Sequence, residues 1–115
     1  MLIEYSSPKV KAYFNNVDKL ERKCSKPLSA KIIQRLFELR AYPNLKVLFE
    51  KGIGRPHKLK GYLEDYIALT LSDKDRLLIE WPKQVEQSEL EKVTQIFIKG
   101  VCDYHGGKIK WIVPW

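Results

Sequence analysis

Residues 54–61 read Gly54-Arg55-Pro56-His57-Lys58-Leu59-Lys60-Gly61, and the hydrophobic period of the chain changes across them. Before this stretch apolar residues recur every three or four positions; after it they alternate. The stretch itself cannot easily be helix, because glycines bound it and Pro56 stiffens its entry. It gathers Arg55, His57, Lys58 and Lys60, four cationic or titratable side chains, into one short segment. Such a segment suits a phosphate, and it equally describes a solvated basic loop.

Upstream, Leu2 to Tyr5 is a short apolar opening consistent with a strand. Ser6 and Ser7 followed by Pro8 form a helix start, a hydroxyl cap with proline in the first turn where its missing N–H costs nothing. Val10, Tyr13, Phe14, Val17 and Leu20 then lay one apolar stripe along a helix, with Lys9, Lys11, Asp18, Lys19, Glu21 and Arg22 outside. Ser25-Lys26-Pro27 restarts the pattern. Leu28, Ile32, Ile33, Leu36, Phe37 and Leu39 line a second helix ending near Tyr42-Pro43, and its charged face carries Lys26, Lys31, Arg35 and Arg40. Asn44 to Lys51 reads as a third helical turn closed by Gly52.

Downstream, Tyr66 to Leu71 is strand-prone, Ser72 to Asp75 is a turn, and Arg76 to Trp81 is the return strand, stopped by Pro82. A polar stretch with Glu86, Glu89 and Glu91 leads to Val93–Tyr104, a longer strand with Gly100 as its bulge. Gly106-Gly107 is a two-residue hairpin turn into Lys108 to Val113. A strand, two to three helices and an antiparallel meander predict an α+β fold, helices packed on one face of a mainly antiparallel sheet of four to five strands. Its 115 residues fit one domain.

The net charge of +7 is unevenly placed. Residues 1–62 carry 14 Lys and Arg against 5 Asp and Glu, and residues 63–115 carry 7 against 9. A basic half raises affinity and on-rate for polyanions, which makes nucleic acid the first partner class and an acidic protein the second. No apolar run approaches the roughly 18 residues of a membrane span, and Met1-Leu2-Ile3-Glu4 is not a signal peptide, so a cytoplasmic protein without a membrane partner is expected. Cys24 and Cys102 make neither a disulfide framework nor a zinc spacing, and no cofactor or metal is expected.

Three short motifs, in order and spacing, accompany this plan: His57-x-Leu59-Lys60-Gly61 before the hairpin, Arg76-Leu77 opening its second strand, and Asp103-Tyr104-His105 ending the next strand. Together they resemble the RelE/ParE superfamily of bacterial toxins, and most closely its HigB-type "killer protein" branch. The resemblance implies a RelE-like fold and a metal-independent, ribosome-dependent mRNA endonuclease acting in the 30S A site. It also implies a HigA-type helix-turn-helix antitoxin, in a heterotetrameric complex that binds operator DNA through the antitoxin. On the matching positions His57, Lys60, Arg76, Asp103, Tyr104 and His105 become the catalytic set. Arg55, Lys58, Lys51 and Lys46 are expected, from their charge and place, to bind RNA phosphate. Two departures stand out. Leu78, Glu80 and Trp81 lie where relatives often carry a second basic residue, and ten residues follow His105, where many relatives stop.

The chemistry is self-consistent without the resemblance. Cleavage by internal attack deprotonates a 2′-hydroxyl, stabilises a phosphorane and protonates the leaving 5′-oxygen. Histidine, with an ordinary pKa of about 6.5, serves either proton transfer, and Lys and Arg take the phosphorane charge. The expected roles are His105 or Asp103 as base, His57 as acid, Lys60 and Arg76 on the phosphate, and Tyr104 stacking on a base or orienting His105. Two other readings stay open: a ParE-like toxin acting on DNA gyrase without nuclease residues, and a non-catalytic RNA-binding module that uses Trp81, Trp111 and Trp115.

Overall fold

A computed structural model describes residues 1–83, 85–105 and 108–114, with His105 described by its backbone alone. Strand β1 (Leu2–Tyr5) is followed by helices α1 (Pro8–Phe14), α2 (Val17–Lys23), α3 (Lys26–Ala41) and α4 (Leu45–Lys51). Strands β2 (His57–Lys58), β3 (Tyr66–Thr70), β4 (Asp75–Glu80), β5 (Gln95–His105) and β6 (Lys108–Val113) come after them, with short 3₁₀ turns at Gly61–Leu63 and Gln87–Lys92. The sheet order is β1-β5-β4-β3-β2, and β6 also pairs with β5. Only β1 is parallel to its neighbour; the other pairs are antiparallel. The plan is the expected α+β one, and the sheet counts six strands because the basic segment itself supplies the two-residue β2.

The caps act as the sequence suggests. Ser7 Oγ accepts from Val10 N–H at 3.2 Å and Ser25 Oγ from Leu28 N–H at 3.2 Å, each with a proline in the first turn. Gly52 closes α4 in the left-handed region with φ 68°. The expected single helix over Val10–Leu20 is instead two. Asn15 ends α1, and Asn16 Oδ1 accepts from Lys19 N–H at 3.1 Å to start α2. Asparagine side chains compete with helical backbone bonds and favour caps, so consecutive asparagines break the run that the apolar spacing alone suggests. Val17, counted into the stripe, is consequently 49% exposed. Phe37 departs from its stripe too and is 71% exposed, while Ile32, Leu36 and Leu39 carry the inner face of α3.

One core fills the space between helices and sheet, built from Val10, Phe14, Leu20, Ile32, Leu36, Leu39, Leu45 and Leu48 against Ile67, Leu69, Leu77, Ile79, Ile98 and Val101. Burying each such side chain is worth about 1.5–3 kcal/mol. The opposite face carries a smaller cluster of Leu59, Leu63, Ala68, Leu78 and Cys102, with Tyr66, Tyr104, Ile109 and Trp111 packed on it. Alternation along β3 and β4 divides their residues between the two clusters.

Gly100 makes the bulge that the sequence indicates. Leu78 pairs with Gly100 and Ile79 with Ile98, so one residue of β5 is left over. A Cβ at Gly100 would lie 2.2 Å from the Val113 carbonyl oxygen, and its φ is 151°. β6 answers what the residues after His105 do: they add a strand beside β5, with Ile109 opposite Tyr104. The Gly106-Gly107 turn and Trp115 lie outside the described residues.

Candidate active site

On the sheet face away from the helices, Arg55, His57, Thr70, Arg76 and Tyr104 line an open cleft of about 510 Å³. The register explains the gathering. Thr70 stands directly opposite Arg76, and Arg76 opposite Cys102, two residues before Tyr104 on the same face of β5. His57 pairs with Ala68, two residues before Thr70, and so joins the row from the outer strand. Residues about 50 positions apart in sequence therefore share one cleft, as the meander requires.

The loop that delivers His57 is bent by two consecutive left-handed residues, Gly54 (φ 73°) and Arg55 (φ 53°). For arginine that conformation costs about 1–2 kcal/mol. Three bonds hold it: Arg55 N–H to Gly52 O at 2.9 Å, Thr70 N–H to Gly54 O at 2.7 Å, and the His57 ring to Arg55 O at 2.9 Å. The atom making that last contact is Nδ1, and a carbonyl only accepts. Nδ1 therefore carries the proton, and Nε2 is the nitrogen left for chemistry.

Arg76 is anchored. Its Nη1 donates to Ser72 O at 2.7 Å and Asp75 O at 3.0 Å, and Nη2 to Asp73 O at 3.4 Å. These bonds use three of the five guanidinium N–H groups and leave two without a bond among the described residues. The turn carrying those carbonyls is closed from within, since Ser72 Oγ donates to Asp75 Oδ2 at 2.6 Å and accepts from Asp75 N–H at 3.1 Å. Asp75 is 6% exposed, and its Oδ1 has no partner among the described residues. Among the described residues no carboxylate lines the cleft itself. Cys102 lies beneath, and burial pushes its thiol up to about 12, with Asp103 adding to the rise and Arg76 opposing it.

The other expected site residues lie apart from this group. Lys58, next to His57 on a strand, turns to the opposite face, where its Nζ stands 5.4 Å from the Trp81 ring centre. Lys60 is exposed ahead of the 3₁₀ turn and does not line the cleft. Lys46 faces Glu50 along α4 at 3.9 Å, and Lys51 ends that helix. Asp103 pairs across the sheet with Asp75 and Lys110, and alternation sends it to the face away from Tyr104. His105 ends β5 opposite Lys108; its side chain lies outside the described residues.

Two participants were not legible beforehand. Thr70 lines the cleft through its register with Arg76, which no local pattern announces. Arg35, expected on the outer face of α3, is 14% exposed and passes beneath the loop: its Nε donates to Thr70 O at 3.2 Å and its Nη1 to Glu38 at 2.9 Å. The Arg35–Glu38 spacing was visible in sequence; the reach to β3 was not. Trp111 packs half-buried on the smaller cluster, which removes one aromatic from an RNA-stacking surface. Among the described residues no group of three or more His, Cys, Asp or Glu side chains is placed to hold a metal ion.

No family model matches the chain, and no curated protein matches it. Among solved structures it is similar to a chain of the YoeB–YefM complex from Staphylococcus aureus, with a TM-score of 0.53 and 24% identity over 91% of this chain and 98% of that one. A heterotetrameric YoeB–YefM toxin–antitoxin complex from the same organism gives a TM-score of 0.52 and 25% identity over 91% and 98%. The α+β arrangement is thus similar to the fold of the YoeB toxin, a RelE-like one.

Proposed function

We propose that this protein is the toxin of a type II toxin–antitoxin pair and an endoribonuclease that cuts mRNA on the ribosome. The observation carrying the proposal is the cleft in which three distant segments bring two guanidiniums, an imidazole and a phenol together, with no carboxylate between them among the described residues. That lining suits a phosphodiester in both charge and proton chemistry. Likeness to YoeB in fold supports the same reading, as do the matched motifs at His57, Arg76 and Asp103-Tyr104-His105.

The reaction we infer is internal transesterification. A base takes the 2′-hydroxyl proton, the 2′-oxygen bonds to phosphorus, and the bond from phosphorus to the 5′-oxygen breaks as that oxygen is protonated. The products are a 2′,3′-cyclic phosphate and a 5′-hydroxyl. His57 is the acid, delivering its proton from Nε2 while Nδ1–H stays on the Arg55 carbonyl. Arg76 and Arg55 take the phosphorane charge, and Tyr104 supports a base. For the base the scheme keeps both candidates of the sequence motif, His105 and Asp103. The histidines and guanidiniums supply the chemistry without a metal.

The finer assignment, a HigB-type toxin held by a HigA-type antitoxin, rests on the sequence motifs. An antitoxin partner also accords with the YoeB–YefM pair. The test is induced expression in a bacterium of the intact protein and of His57→Ala/His105→Ala, with new 5′ ends mapped on translated messages. Arrest with cuts from the intact protein alone is the expected result. Arrest without cuts would favour a gyrase-directed toxin, and no arrest would favour a binding module.

A further inference from the structure

A second cavity, of about 400 Å³ and more enclosed than the cleft, lies at the opposite end of the β3–β4 hairpin. Tyr66, Trp81 and Phe97 are its aromatic walls, and Asp65, Glu80 and Gln95 its polar ones. Tyr66 pairs with Glu80, and one step beyond the Ile79–Ile98 pair Phe97 comes beside Glu80. Trp81 N–H donates to Asp65 O at 2.6 Å and ties the end of the hairpin shut. Phe97 is 40% exposed, so the apolar wall is accessible.

The charge here runs against the rest of the molecule. The chain carries +7, yet among the described residues this cavity is lined by two carboxylates and a single cation, Lys83. Among the described residues neither Asp65 nor Glu80 has an ion-pair or hydrogen-bond partner for its carboxylate. Aromatic faces attract cations through the ring quadrupole, and unpaired carboxylates beside them add charge and acceptors. Trp81 already takes a cation on one side, the Lys58 ammonium at 5.4 Å. A phosphate would meet the two carboxylates and be repelled, which disfavours an RNA segment. A guanidinium meets every feature: it stacks flat on an aromatic ring, forks onto a carboxylate and stays charged.

We propose that this cavity binds an arginine side chain presented by a partner polypeptide, stacked against Trp81 and Phe97 and paired with Glu80 and Asp65. The volume lies within the range of small-ligand pockets, roughly 300–1,000 Å³, and accommodates the side chain with adjoining backbone. The Tyr66–Glu80 pair is four residues along the hairpin from Thr70–Arg76, about 13 Å at ~3.3 Å per residue. A partner bound here leaves the cleft open, so the proposal does not depend on the nuclease reading.

The test is a titration of the intact ¹⁵N-labelled protein with acetyl-Gly-Arg-Gly-amide, followed at the Trp81 indole N–H and the Phe97 amide. A protein of net +7 repels the peptide elsewhere, so saturable uptake reports a local site. Saturable shifts at these two residues are expected, with Glu80→Gln weakening binding about tenfold and the lysine analogue binding more weakly than arginine. Absence of saturation, shifts unaffected by Glu80→Gln, or saturation by guanosine monophosphate in place of the peptide would each overturn the proposal.

Discussion

His57 Nδ1 lies 2.9 Å from the carbonyl oxygen of Arg55, a residue held in the left-handed region at φ 53°. The strained residue thus aims the histidine, and the Arg55 side chain enters the same cleft. Backbone and side chain can be separated by substitution. Arg55→Gly accepts φ 53° without strain and removes only the guanidinium. Stability measured by denaturant should stay level or rise by up to about 1 kcal/mol, while cleavage falls about 10- to 100-fold. Loss of stability would mean that the Arg55 side chain, and not the loop bonds, holds this turn.

From sequence, Arg76 is expected to be exposed, so that its loss lowers cleavage and leaves the fold intact. Its three bonds to the carbonyls of Ser72, Asp73 and Asp75 say otherwise. Arg76→Ala should cost about 1–2 kcal/mol of stability besides activity, because the turn loses its cross-bracing. Lys60→Ala, at an exposed position with no such bonds, should stay within about 0.5 kcal/mol of the parent. Urea denaturation of the two variants side by side checks both.

What the sequence made legible was governed by local rules. Caps at Ser7, Ser25 and Gly52, the change of period after Gly61 and the bulge at Gly100 each follow from the chemistry of a few neighbouring residues, and each is where it was expected. The failures are of two kinds. At Asn15–Asn16 two local signals competed, and capping overrode apolar spacing. Elsewhere the deciding fact was non-local: Lys58 and His57 adjoin in sequence but occupy opposite faces, and Thr70 enters the cleft through the register opposite Arg76. A motif read as a string cannot separate such neighbours until the strand under it is known. Asp103 and Tyr104 diverge for the same reason.

Two of the glycines held at positive φ give an internal comparison. A Cβ at Gly100 would lie 2.2 Å from backbone, the Val113 carbonyl oxygen, at a φ of 151°. Gly52 also has positive φ, 68°, but nothing within 4 Å of such a Cβ. Gly52→Ala should cost about 1 kcal/mol, from conformation alone. Gly100→Ala should cost more than about 3 kcal/mol, because β5 and β6 must separate to admit the methyl group. Thermal melts of the two variants distinguish the cases, and equal losses would contradict the close approach.

Cys102 supplies the pH dependence. Burial, reinforced by Asp103, raises its thiol from 9.0 to about 12, whereas the thiol of the unfolded chain ionises near its ordinary value. Between about pH 9 and 12 the unfolded state therefore binds fewer protons than the native one, and stability falls as pH rises, by at most about 1.4 kcal/mol per pH unit. Below that window this thiol contributes no slope. Tyr5 and Tyr42, both raised first by burial, act in the same direction at higher pH, so Cys102→Ala should reduce the slope without abolishing it. The same burial makes the thiol inert: at pH 8 about one Cys102 in 10⁴ is thiolate, while Cys24, also raised by burial, is partly exposed. Iodoacetamide at pH 8 should add one label to the native protein, at Cys24, and two in denaturant, as read by mass spectrometry. Prompt labelling of native Cys102 would show that the sheet beneath the cleft opens far more readily than its packing implies.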